Sequence, residues 1–427
     1  MKRTARDKND TVRPKPVQKI ALDEKPSRAH VLIFFGFVVL AAVSLFLGIR
    51  GCVTKEPGWD TVAPGAYADS CASDFVFQYN FGQGQLSATE ESRALSSLYN
   101  SLTRKAYRLF HETECFEDVH NIAYIAAHPG EEVTVDAALY EALATVTENG
   151  NRYIFYAPIF SLYESLFRCE DGDDLFAEEF DPTRQASLWE QIEQLLTFVR
   201  DPDAVSLSLL PDHRVTLTVS DAYGAYLAEH KDLPTLAFFR MKNALIIDYL
   251  ADACRSSGFV NGVISCADGF IRNLNPSSED TLTFGIQDAD SQGARVAATF
   301  DGAAFGAVVQ LRDFSRGADD PYAYTYRNGQ TVTAFISLAD GSPTVSARLM
   351  SAASGTKSCT DLFVRLYALY TSAYVTDTEL LALVNEDIHT VCAFGSDRVL
   401  YVSDNAIKPE NLYTGDEIVY TTDLLPF

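Results

Sequence analysis

The amino-acid sequence predicts a domain with runs of strands and helices between them, which follows a single transmembrane helix. Segments with strand-like alternation are separated by segments with helical spacing of apolar residues, and no regular repeat connects them. Residues 31–49 form a run of 19 residues without a charged side chain, which is long enough to cross about 30 Å of hydrocarbon as a helix. With 427 residues and 47% hydrophobic content, the chain can bury one large core or two modest ones.

The amino terminus is predicted to anchor the chain in a membrane. Residues 1–30 contain nine Lys or Arg and four Asp or Glu, a formal charge of +5, so the rest of the chain carries −29. Because cationic flanks stay on the cytoplasmic side, we expect a cytoplasmic basic tail at 1–30, a transmembrane anchor at 31–50 and an extracytoplasmic body in a single-pass protein of the cell membrane. The alternative is a cleaved signal, since Ile49-Arg50-Gly51-Cys52 resembles a lipobox, and lipidation of Cys52 stays open.

Charge and residue usage exclude several functional classes. A body at −29 repels phosphate backbones, whose binding needs clustered Lys and Arg, so we expect no nucleic-acid partner. The eight cysteines include no C-x-x-C pair and the seven histidines no H-E-x-x-H pair, which argues against zinc, thiol-redox and metalloprotease sites. One or two disulfides stay open for an exported body, whereas Cys254 lies on an apolar helical stripe and is expected in the core.

The first elements after the anchor follow from composition and capping signals. Residues 51–75 mix Gly, Pro, Thr, Ala and Ser, which is typical of a stalk, and the globular domain is expected to span 76–427. Ser87 and Glu90 have the spacing of a capping box that opens a long amphipathic helix. Asp181-Pro182 offers the residue types preferred at the N-cap and first position of another helix.

Residues 238–273 are predicted to form a helix, a turn and a strand that present a polar loop. Apolar residues recur at helical spacing from Ala244 to Cys254, and Gly258 stands where a left-handed C-cap is wanted. Residues 259–264 form an apolar run of strand length, and Cys266-Ala267-Asp268-Gly269 follows as a loop. Loops at strand ends near a helix start commonly hold phosphate-bearing ligands, so this loop is a candidate site.

Beyond this loop the sequence predicts further strands and one more helix. Asn328-Gly329 is predicted to supply two positions with φ > 0 at the turn of a hairpin. A helix is expected from about Thr360, and residues 389–394 and 398–403 are expected to pair as strands. The sequence contains no G-x-G-x-x-G or P-loop motif, so neither a Rossmann nor a P-loop enzyme fits.

The residue order in the candidate loop segment matches a known pattern. The order Lys242, Asp248, helix, Gly258, Asn261, strand and the loop 265–269 resembles the run K-G-Y-x-x-D, helix, G-x-x-N, strand, N-x-G-G-D of the FAD:protein FMN transferases, the ApbE family. Counting back from Asp248 places the family's lysine on Asn243, next to Lys242. The resemblance covers roughly residues 85–405 and implies an ApbE-like α+β fold with antiparallel sheets packed by helices.

The resemblance also implies an activity, its cofactors and a set of site residues. In that family FAD is the substrate, Mg²⁺ polarises the pyrophosphate, a threonine hydroxyl of a target protein attacks the FMN-side phosphorus, and AMP leaves. FAD and Mg²⁺ would then be required, with exported acceptor proteins as partners. The candidate FAD-binding residues are Lys242, Asn243, Asp268, Gly269 and Gly341.

Several polar positions of the family pattern are replaced in this chain. The family's metal pair, D-A-x-x-T, falls on Cys359 and Phe363, so Asp340, Asp361 and Thr360 are the candidate metal ligands. Two hypotheses follow. The first is a membrane-anchored, Mg²⁺-dependent FMN transferase acting on threonines of exported proteins. The second is the same fold without catalytic activity, retained as a ligand-binding or scaffold ectodomain.

Overall fold

The structure, a computed structural model, describes residues 55–170, 172–277, 281–290, 293–316, 320, 322–415 and 418–425. The predicted basic tail, the transmembrane anchor and Cys52 lie outside the described residues. None of the helices in the described part of the chain combines the length and apolar character that a bilayer crossing requires. Contacts divide the chain into Met1–Lys55 and Glu56–Phe427, and the fold below is that of the second unit.

Ten α-helices and six short 3₁₀ helices lie in the described part of the chain. The α-helices are α1 (Ala88–Leu109), α2 (Ile122–Ala127), α3 (Ala137–Thr147), α4 (Ala157–Glu164), α5 (Asp174–Ala177), α6 (Ala186–Val199), α7 (Asp221–Glu229), α8 (Lys242–Ser256), α9 (Cys359–Tyr370) and α10 (Asp377–Val384). The 3₁₀ helices are Ala72–Asp74, Glu148–Gly150, Tyr153–Tyr156, Leu166–Arg168, Glu178–Phe180 and Phe239–Met241.

Sixteen strands lie in the described residues and form four sheets. They are β1 (Gly58–Thr61), β2 (Phe75–Phe81), β3 (Val133–Thr134), β4 (Val205–Leu210), β5 (Arg214–Val219), β6 (Gly262–Cys266), β7 (Phe270–Asn273), β8 (Thr283–Asp290), β9 (Gly293–Asp301), β10 (Ala307–Arg312), β11 (Ala323–Thr325), β12 (Thr331–Thr333), β13 (Leu349–Ser354), β14 (His389–Ala393), β15 (Val399–Val402) and β16 (Thr421–Leu424). The central sheet has nine strands in the order β1-β2-β6-β7-β10-β13-β14-β15-β16, beside the sheet β3-β5-β4 and the hairpins β8-β9 and β11-β12.

The central sheet is antiparallel along almost its whole width. Among the described strands, only β15 and β16 pair in parallel. Sequence neighbours such as β6 and β7 are joined by tight turns, which is possible only for antiparallel pairs. The predicted α+β class with antiparallel sheets packed by helices is therefore confirmed for the described domain.

Both faces of the central sheet are covered. Along β10, Val309 and Leu311 belong to the large core under the helices, whereas Val308 belongs to a second core on the opposite face. This separation follows from the period of two in a strand, which sends alternate side chains to opposite faces. Helices α1, α8 and α9 cover the first face, and the hairpin β8-β9 contributes Phe284 and Phe300 to the second.

Part of the segment predicted as a stalk belongs to the folded domain, so that prediction is corrected. Strand β1 pairs antiparallel with β2, and Val62, Cys71 and Ala72 are buried in the large core. The Gly, Pro and Ser content indicated a linker, but a short edge strand and a few buried side chains suffice to order such a segment. The domain begins near Glu56 instead of at residue 76.

The capping and helix predictions are confirmed where they can be checked. Ser87 accepts a hydrogen bond from the amide of Glu90 while the Glu90 carboxylate accepts one from the amide of Ser87, so the capping box of α1 is complete. Helix α8 spans Lys242–Ser256, and Gly258 follows with φ +86°. The left-handed backbone at Gly258 ends the helix and turns the chain toward β6.

The hairpin at Asn328-Gly329 exists but has a different turn from the predicted one. Only Gly329 has positive φ, at +85°. The amide of Tyr326 donates to the carbonyl of Gln330 at 2.9 Å, and the amide of Gly329 donates to the carbonyl of Tyr326 at 2.8 Å. These bonds define a three-residue loop with a glycine bulge, which needs a single left-handed residue.

Asp181 was predicted as the N-cap of a helix, and this prediction is wrong. Helix α6 begins at Ala186, and its N-cap residue makes no side-chain cap bond. Asp181 instead accepts hydrogen bonds from Thr183 within a preceding turn and one of 2.7 Å from the hydroxyl of Tyr326 on the small hairpin. The carboxylate is fully buried, so long-range contacts outweighed the local capping signal.

The cysteines of the described domain are free thiols. Seven described cysteines form no disulfide, so the bridges left open by the sequence are not found among them. Cys254 is fully buried in the large core, as its helical position predicted. Burial raises the pKa of the Cys254 thiol to about 12, so it stays protonated and acts as a small apolar side chain.

Substitution of Gly269 is expected to cost far more stability than substitution of Gly258. Both glycines have positive φ, at +94° and +86°, but a Cβ atom on Gly269 would lie 2.5 Å from the backbone oxygen of Gln310, whereas none lies within 4 Å of one on Gly258. We expect Gly258→Ala to lower the free energy of unfolding by about 1–2 kcal/mol from backbone strain alone. Gly269→Ala should lower it by roughly 3 kcal/mol or more. Urea titration measures both, and equal losses would contradict the clash.

Candidate ligand-binding site

A cleft of about 660 Å³ opens beside the amino-terminal end of α8. Its walls come from helix α4, the 3₁₀ helix before α8, and the segment that follows β12. The aromatic wall consists of Tyr153, Phe160, Tyr163, Phe167, Phe239 and Tyr367. The charged rim consists of Arg168, Lys231, Arg240 and Lys242 together with Glu112, Glu164, Asp232 and Asp268. The cleft therefore combines flat apolar surfaces with charges of both signs.

The rings of the aromatic wall hold one another in place. The ring centroids of Tyr153 and Tyr367 lie 4.7 Å apart at an interplanar angle of 79°. Phe160 lies 5.1 Å from Tyr153 and 5.3 Å from Phe239, the latter at 66°. Edge-to-face packing of this kind is a favourable arrangement of aromatic rings. It fixes a wall against which a planar ligand can pack.

Phe239 reaches the cleft from a strained backbone position. Its φ is +48°, in the left-handed region that large side chains rarely adopt. The Glu112 carboxylate accepts hydrogen bonds from the amides of both Phe238 and Phe239, the second at 2.9 Å. Strained conformations of about 1–3 kcal/mol persist only when their surroundings fix them, and they cluster at functional sites. Glu112 thus determines the conformation of the cleft wall just before α8.

Three predicted ligand-binding residues meet at the rim of the cleft. Lys242 Nζ lies 3.8 Å from Glu112 Oε2, and the next residue, Asn243, donates from Nδ2 to Asp268 Oδ2 at 2.6 Å. All three predicted residues, Lys242, Asn243 and Asp268, line the same cleft. The start of α8 and the loop after β6 therefore lie in contact, as the order of residues in the family pattern predicted.

Two polar atoms of the cleft are buried without a hydrogen-bond partner among the described residues. They are the Oδ1 atom of Asn243 and the hydroxyl oxygen of Tyr153, a residue with only 2% exposure. A buried polar atom without a partner costs about 1–3 kcal/mol. Both residues line the cleft, but the two atoms themselves are covered, so a polar ligand would reach them only after a small movement of the cleft wall.

The tyrosine hydroxyls of the cleft stay protonated at neutral pH. Burial raises the pKa values of Tyr153, Tyr163 and Tyr367 well above the ordinary value. Tyr367 donates to the carbonyl of Ile336 at 2.9 Å, which fixes its ring. The Tyr153 hydroxyl has no acceptor among the described residues.

Gly269 and Gly341, the two glycines predicted to bind FAD, contact residues that form the walls of the cleft. Gly269 follows Asp268 and allows the turn to approach Gln310, as described above. The carbonyl of Gly341 accepts a hydrogen bond of 2.8 Å from Tyr163, whose ring lines the cleft. Neither glycine itself lines the cleft, so both act on the position of its walls.

The structure does not bring the candidate metal ligands together. Asp340 accepts hydrogen bonds from the amide and hydroxyl of Ser342 in its own turn, and these bonds hold its pKa below the usual value although burial alone would raise it. Asp361 closes the capping box of α9 with Ser358. Thr360 is 3% exposed and donates its hydroxyl to Asp248. In the described part of the chain, no three His, Cys, Asp or Glu side chains are grouped to hold a metal ion.

Asp248 is the centre of a buried polar site behind the cleft. Its carboxylate accepts hydrogen bonds from the amides of Cys359 and Thr360 at 3.0 Å and 2.8 Å and from the Thr360 hydroxyl at 2.7 Å. Arg272 Nε lies 3.2 Å from its Oδ1 atom. Burial raises the pKa of Asp248, and Arg272 and these donors oppose that shift. Asp248 thus caps α9 from helix α8.

The residues present do not offer Mg²⁺ the oxygen ligands that the resemblance implies. The positions matched to the family's metal pair are Cys359, a buried thiol that donates to the carbonyl of Ile271, and Phe363, a buried ring. Mg²⁺ requires near-octahedral oxygen ligands at about 2.0–2.1 Å. The hydroxyl of Thr360 and the carboxylates of Asp340 and Asp361 are already hydrogen-bonded within the fold.

A second cavity of about 550 Å³ lies on the other side of the aromatic wall. Tyr153 and Tyr367 line both cavities. Asp361 lines the second cavity together with Lys357 and Arg365 and does not line the cleft that holds Lys242 and Asp268.

Comparisons with known proteins agree on the fold. Neither a protein-family model nor a curated protein matches the chain. The flavin transferase ApbE of Vibrio cholerae superposes with a TM-score of 0.52 at 11% identity, covering 79% of this chain and 93% of that one. This chain has the fold of the ApbE flavin transferases. The ApbE protein of Thermotoga maritima gives a TM-score of 0.51 at 13% identity, with 79% and 94% of the two chains covered. The apo flavinyl transferase ApbE of Pseudomonas stutzeri gives 0.51 at 13% identity, with 83% and 95% covered.

Within this ApbE-like fold, the sequence pattern missed most of the cleft wall. The sequence gives no signal for the position of Phe239, because its left-handed backbone depends on Glu112, which is 127 residues away. Tyr153 and Phe160 belong to no motif that the sequence analysis identified. The one available signal for Glu112 was the ApbE resemblance, in which the family's S-E-x-x-x-x-N loop corresponds loosely to residues 112–121.

Proposed function

We propose that this protein is an ApbE-fold ectodomain whose cleft binds FAD without transferring the FMN moiety. The observation that supports this proposal most directly is the state of the polar atoms at the start of α9. Asp248 accepts hydrogen bonds from the first two amides of α9 and from the Thr360 hydroxyl, so these groups are unavailable to a metal–diphosphate complex. Binding needs only the cleft itself, whereas transfer needs a metal site as well.

The chemistry of the cleft suits a flavin dinucleotide. A planar isoalloxazine ring can pack on the aromatic wall, where Phe160 and Phe239 present edges and faces. Lys242, with 40% side-chain exposure, supplies a positive charge for the diphosphate. The Tyr153 hydroxyl and Asn243 Oδ1 supply a donor and an acceptor that have no partner among the described residues. The rim carries as many cations as anions, so it repels an anion less than the body as a whole, which carries −29.

Mg²⁺-dependent transfer of FMN from FAD to a threonine is the second candidate. It is supported by the fold likeness to flavin transferases and by the meeting of Lys242, Asn243 and Asp268 at one cleft. Under this proposal Asp340, Asp361 or Thr360 would have to exchange its present hydrogen bonds for the metal. The chain's own Lys242 would hold the diphosphate, and the aromatic wall would exclude water from it.

Location and partners belong to the same proposal. Residues 31–49 support a single membrane anchor, and the charge difference between the two sides of this run supports an extracytoplasmic domain. For the transferase candidate, exported proteins with an exposed threonine would be the acceptors.

The two candidates differ in one experiment on the full chain in detergent. FAD is titrated with and without Mg²⁺ while flavin fluorescence is followed, and a threonine-bearing acceptor peptide is then added. We expect quenching of the flavin and no release of AMP. AMP release with FMN attached to the peptide would establish the transferase instead, and unchanged flavin fluorescence would overturn both candidates.

The variant Tyr153→Phe tests whether the ligand contacts the Tyr153 hydroxyl. It removes only the hydroxyl without a partner and keeps the ring that packs against Tyr367. We expect FAD affinity to fall about 3–10-fold, the equivalent of one neutral hydrogen bond. An unchanged affinity would place the ligand away from this hydroxyl.

A further inference from the structure

Arg240 places a positive charge beside the aromatic wall of the cleft. The residue lines the cleft, and its guanidinium carbon lies 4.3 Å from the centroid of the Tyr322 ring. Burial raises the pKa values of Tyr153 and Tyr367, and the nearby charge of Arg240 opposes that rise. The charge of Arg240 therefore acts directly on two hydroxyls of the wall.

Tyr322 holds Arg240 and the loop after β6 at the same time. Its ring is 2% exposed, and its hydroxyl donates to the carbonyl oxygen of Asp268 at 3.2 Å. The guanidinium carbon of Arg312 lies 3.8 Å from the centroid of the same ring. A guanidinium over a desolvated aromatic ring is a favourable cation–π contact. One buried ring thus fixes two side chains of the cleft, those of Arg240 and Asp268.

Arg240 differs from the other cations of the rim in its surroundings. Arg168 and Lys231 are exposed, and Lys242, with 40% side-chain exposure, lies 3.8 Å from Glu112. Arg240 is half-buried and is stacked on a buried ring. Because a charge acts more strongly where water is displaced, Arg240 is the cation of the rim that attracts an anionic ligand most strongly.

Two carboxylates of the cleft are already engaged by the fold. Glu112 accepts hydrogen bonds from two backbone amides, and Asp268 accepts one of 2.6 Å from Asn243. A guanidinium has five N–H donors in a planar fork that fits the oxygens of a phosphate group. Contacts of Arg240 with the protein therefore leave donors for a phosphate.

We propose that Arg240 is the specificity-determining residue of the cleft: it binds the phosphate groups of the ligand, so that the cleft selects FAD over riboflavin. Tyr322 is the positioning residue that holds its guanidinium in place. The identity of the ligand as a flavin rests on the function proposed above. Lys242 supplies a second and more exposed charge to the same phosphates.

The test measures how strongly the full chain in detergent prefers flavins that carry phosphate. Dissociation constants for FAD, FMN and riboflavin come from flavin fluorescence, and that for ADP comes from calorimetry. We expect the wild-type chain to bind FAD at least about 10-fold more tightly than riboflavin. Arg240→Gln should weaken FAD binding by about 10–100-fold and riboflavin binding by less than about 3-fold. Arg240→Lys keeps the charge and should recover part of the FAD affinity.

Variants of Tyr322 test the positioning role. Tyr322→Phe keeps the ring and should keep the ratio of the FAD and riboflavin affinities. Tyr322→Leu removes the ring and should lower this ratio by about 3–10-fold, whereas a general loss of structure would weaken both ligands alike. If Tyr322→Leu does not fold, Tyr322→Met takes its place.

Arg295→Gln is the matched control for the Arg240 variant. Arg295 is also half-buried, and its guanidinium carbon lies 4.8 Å from the centroid of the Tyr413 ring, but it does not line the cleft. We expect all four dissociation constants of this variant to equal those of the wild-type chain. A loss of FAD affinity in this variant would overturn the assignment to Arg240.

The outcomes separate this inference from the proposed function. Equal affinities of the wild-type chain for FAD and riboflavin would overturn the role of Arg240 and leave flavin binding standing. An Arg240→Gln chain that loses both ligands to the same extent would overturn that role as well. Binding of ADP that depends on Arg240, without binding of any flavin, would support the role of Arg240 and overturn the proposed FAD binding. A wild-type chain that binds neither ADP nor a flavin would overturn both.

Discussion

Asp248→Asn is expected to lower the free energy of unfolding by about 3–5 kcal/mol. The amide would keep the shape of the side chain but would leave the buried Arg272 with only the exposed Asp252 as a counter-charge. It would also present an N–H group where Thr360 and Cys359 now donate to a carboxylate. Urea titration followed by tryptophan fluorescence measures the loss.

Asp252→Asn is the control for the Asp248 variant. Asp252 also pairs with Arg272, at 3.3 Å, but its side chain is 65% exposed, so water replaces most of the lost interaction. We expect a change much smaller than that of Asp248→Asn. Similar losses for the two variants would show that burial of Asp248 is not what makes it important.

Glu112→Ala is expected to weaken FAD binding by about 10–100-fold. The Glu112 carboxylate holds the amides of Phe238 and Phe239, and without it the φ of +48° at Phe239 has no local support. The strained residue should relax, which moves the Phe239 ring out of the aromatic wall and changes the position of Lys242. The dissociation constant from flavin fluorescence measures this effect.

Glu112→Gln separates the hydrogen bonds of Glu112 from its charge. The glutamine side chain would keep an oxygen that can accept from both backbone amides, but it would lose the ion pair with Lys242 at 3.8 Å. We expect this variant to keep most of the affinity. Glu114→Ala, at an exposed position two residues further on, should leave FAD binding unchanged. A glutamine variant as weak as the alanine variant would show that the ion pair is what matters.

The fold was predictable where the signal is local. The capping box at Ser87 and the positive φ at Gly258 each depend on residues within a few positions, and both predictions hold. The predictions for Asp181 and for the segment 51–75 failed because distant partners decide their structure. The Asp181 carboxylate accepts a hydrogen bond from the Tyr326 hydroxyl. The segment predicted as a stalk is ordered because its strand β1 pairs with β2. A single sequence contains no direct signal for such contacts.

The predictions for the candidate site show the same difference between local signals and distant partners. Lys242, Asn243 and Asp268 were predicted because their order along the chain follows a family pattern. The structure places all three at one cleft, and their role in binding a ligand stays a prediction. The candidate metal ligands were chosen by residue type near the expected positions. Residue type does not reveal that Thr360 already donates to Asp248 or that Asp361 closes a capping box. Arg272 was missed because an arginine in a strand gives no hint that it pairs with a buried carboxylate of α8.

The free thiols of the described domain have a practical consequence for work with this protein. Burial raises the pKa values of Cys71, Cys254, Cys266 and Cys392 to about 12, so these sulfurs should resist alkylation and oxidants while the domain stays folded. Cys115 is exposed. Among the described cysteines, a maleimide dye should therefore mark Cys115 first, next to the Glu112 segment, and give a fluorescent reporter of ligand entry.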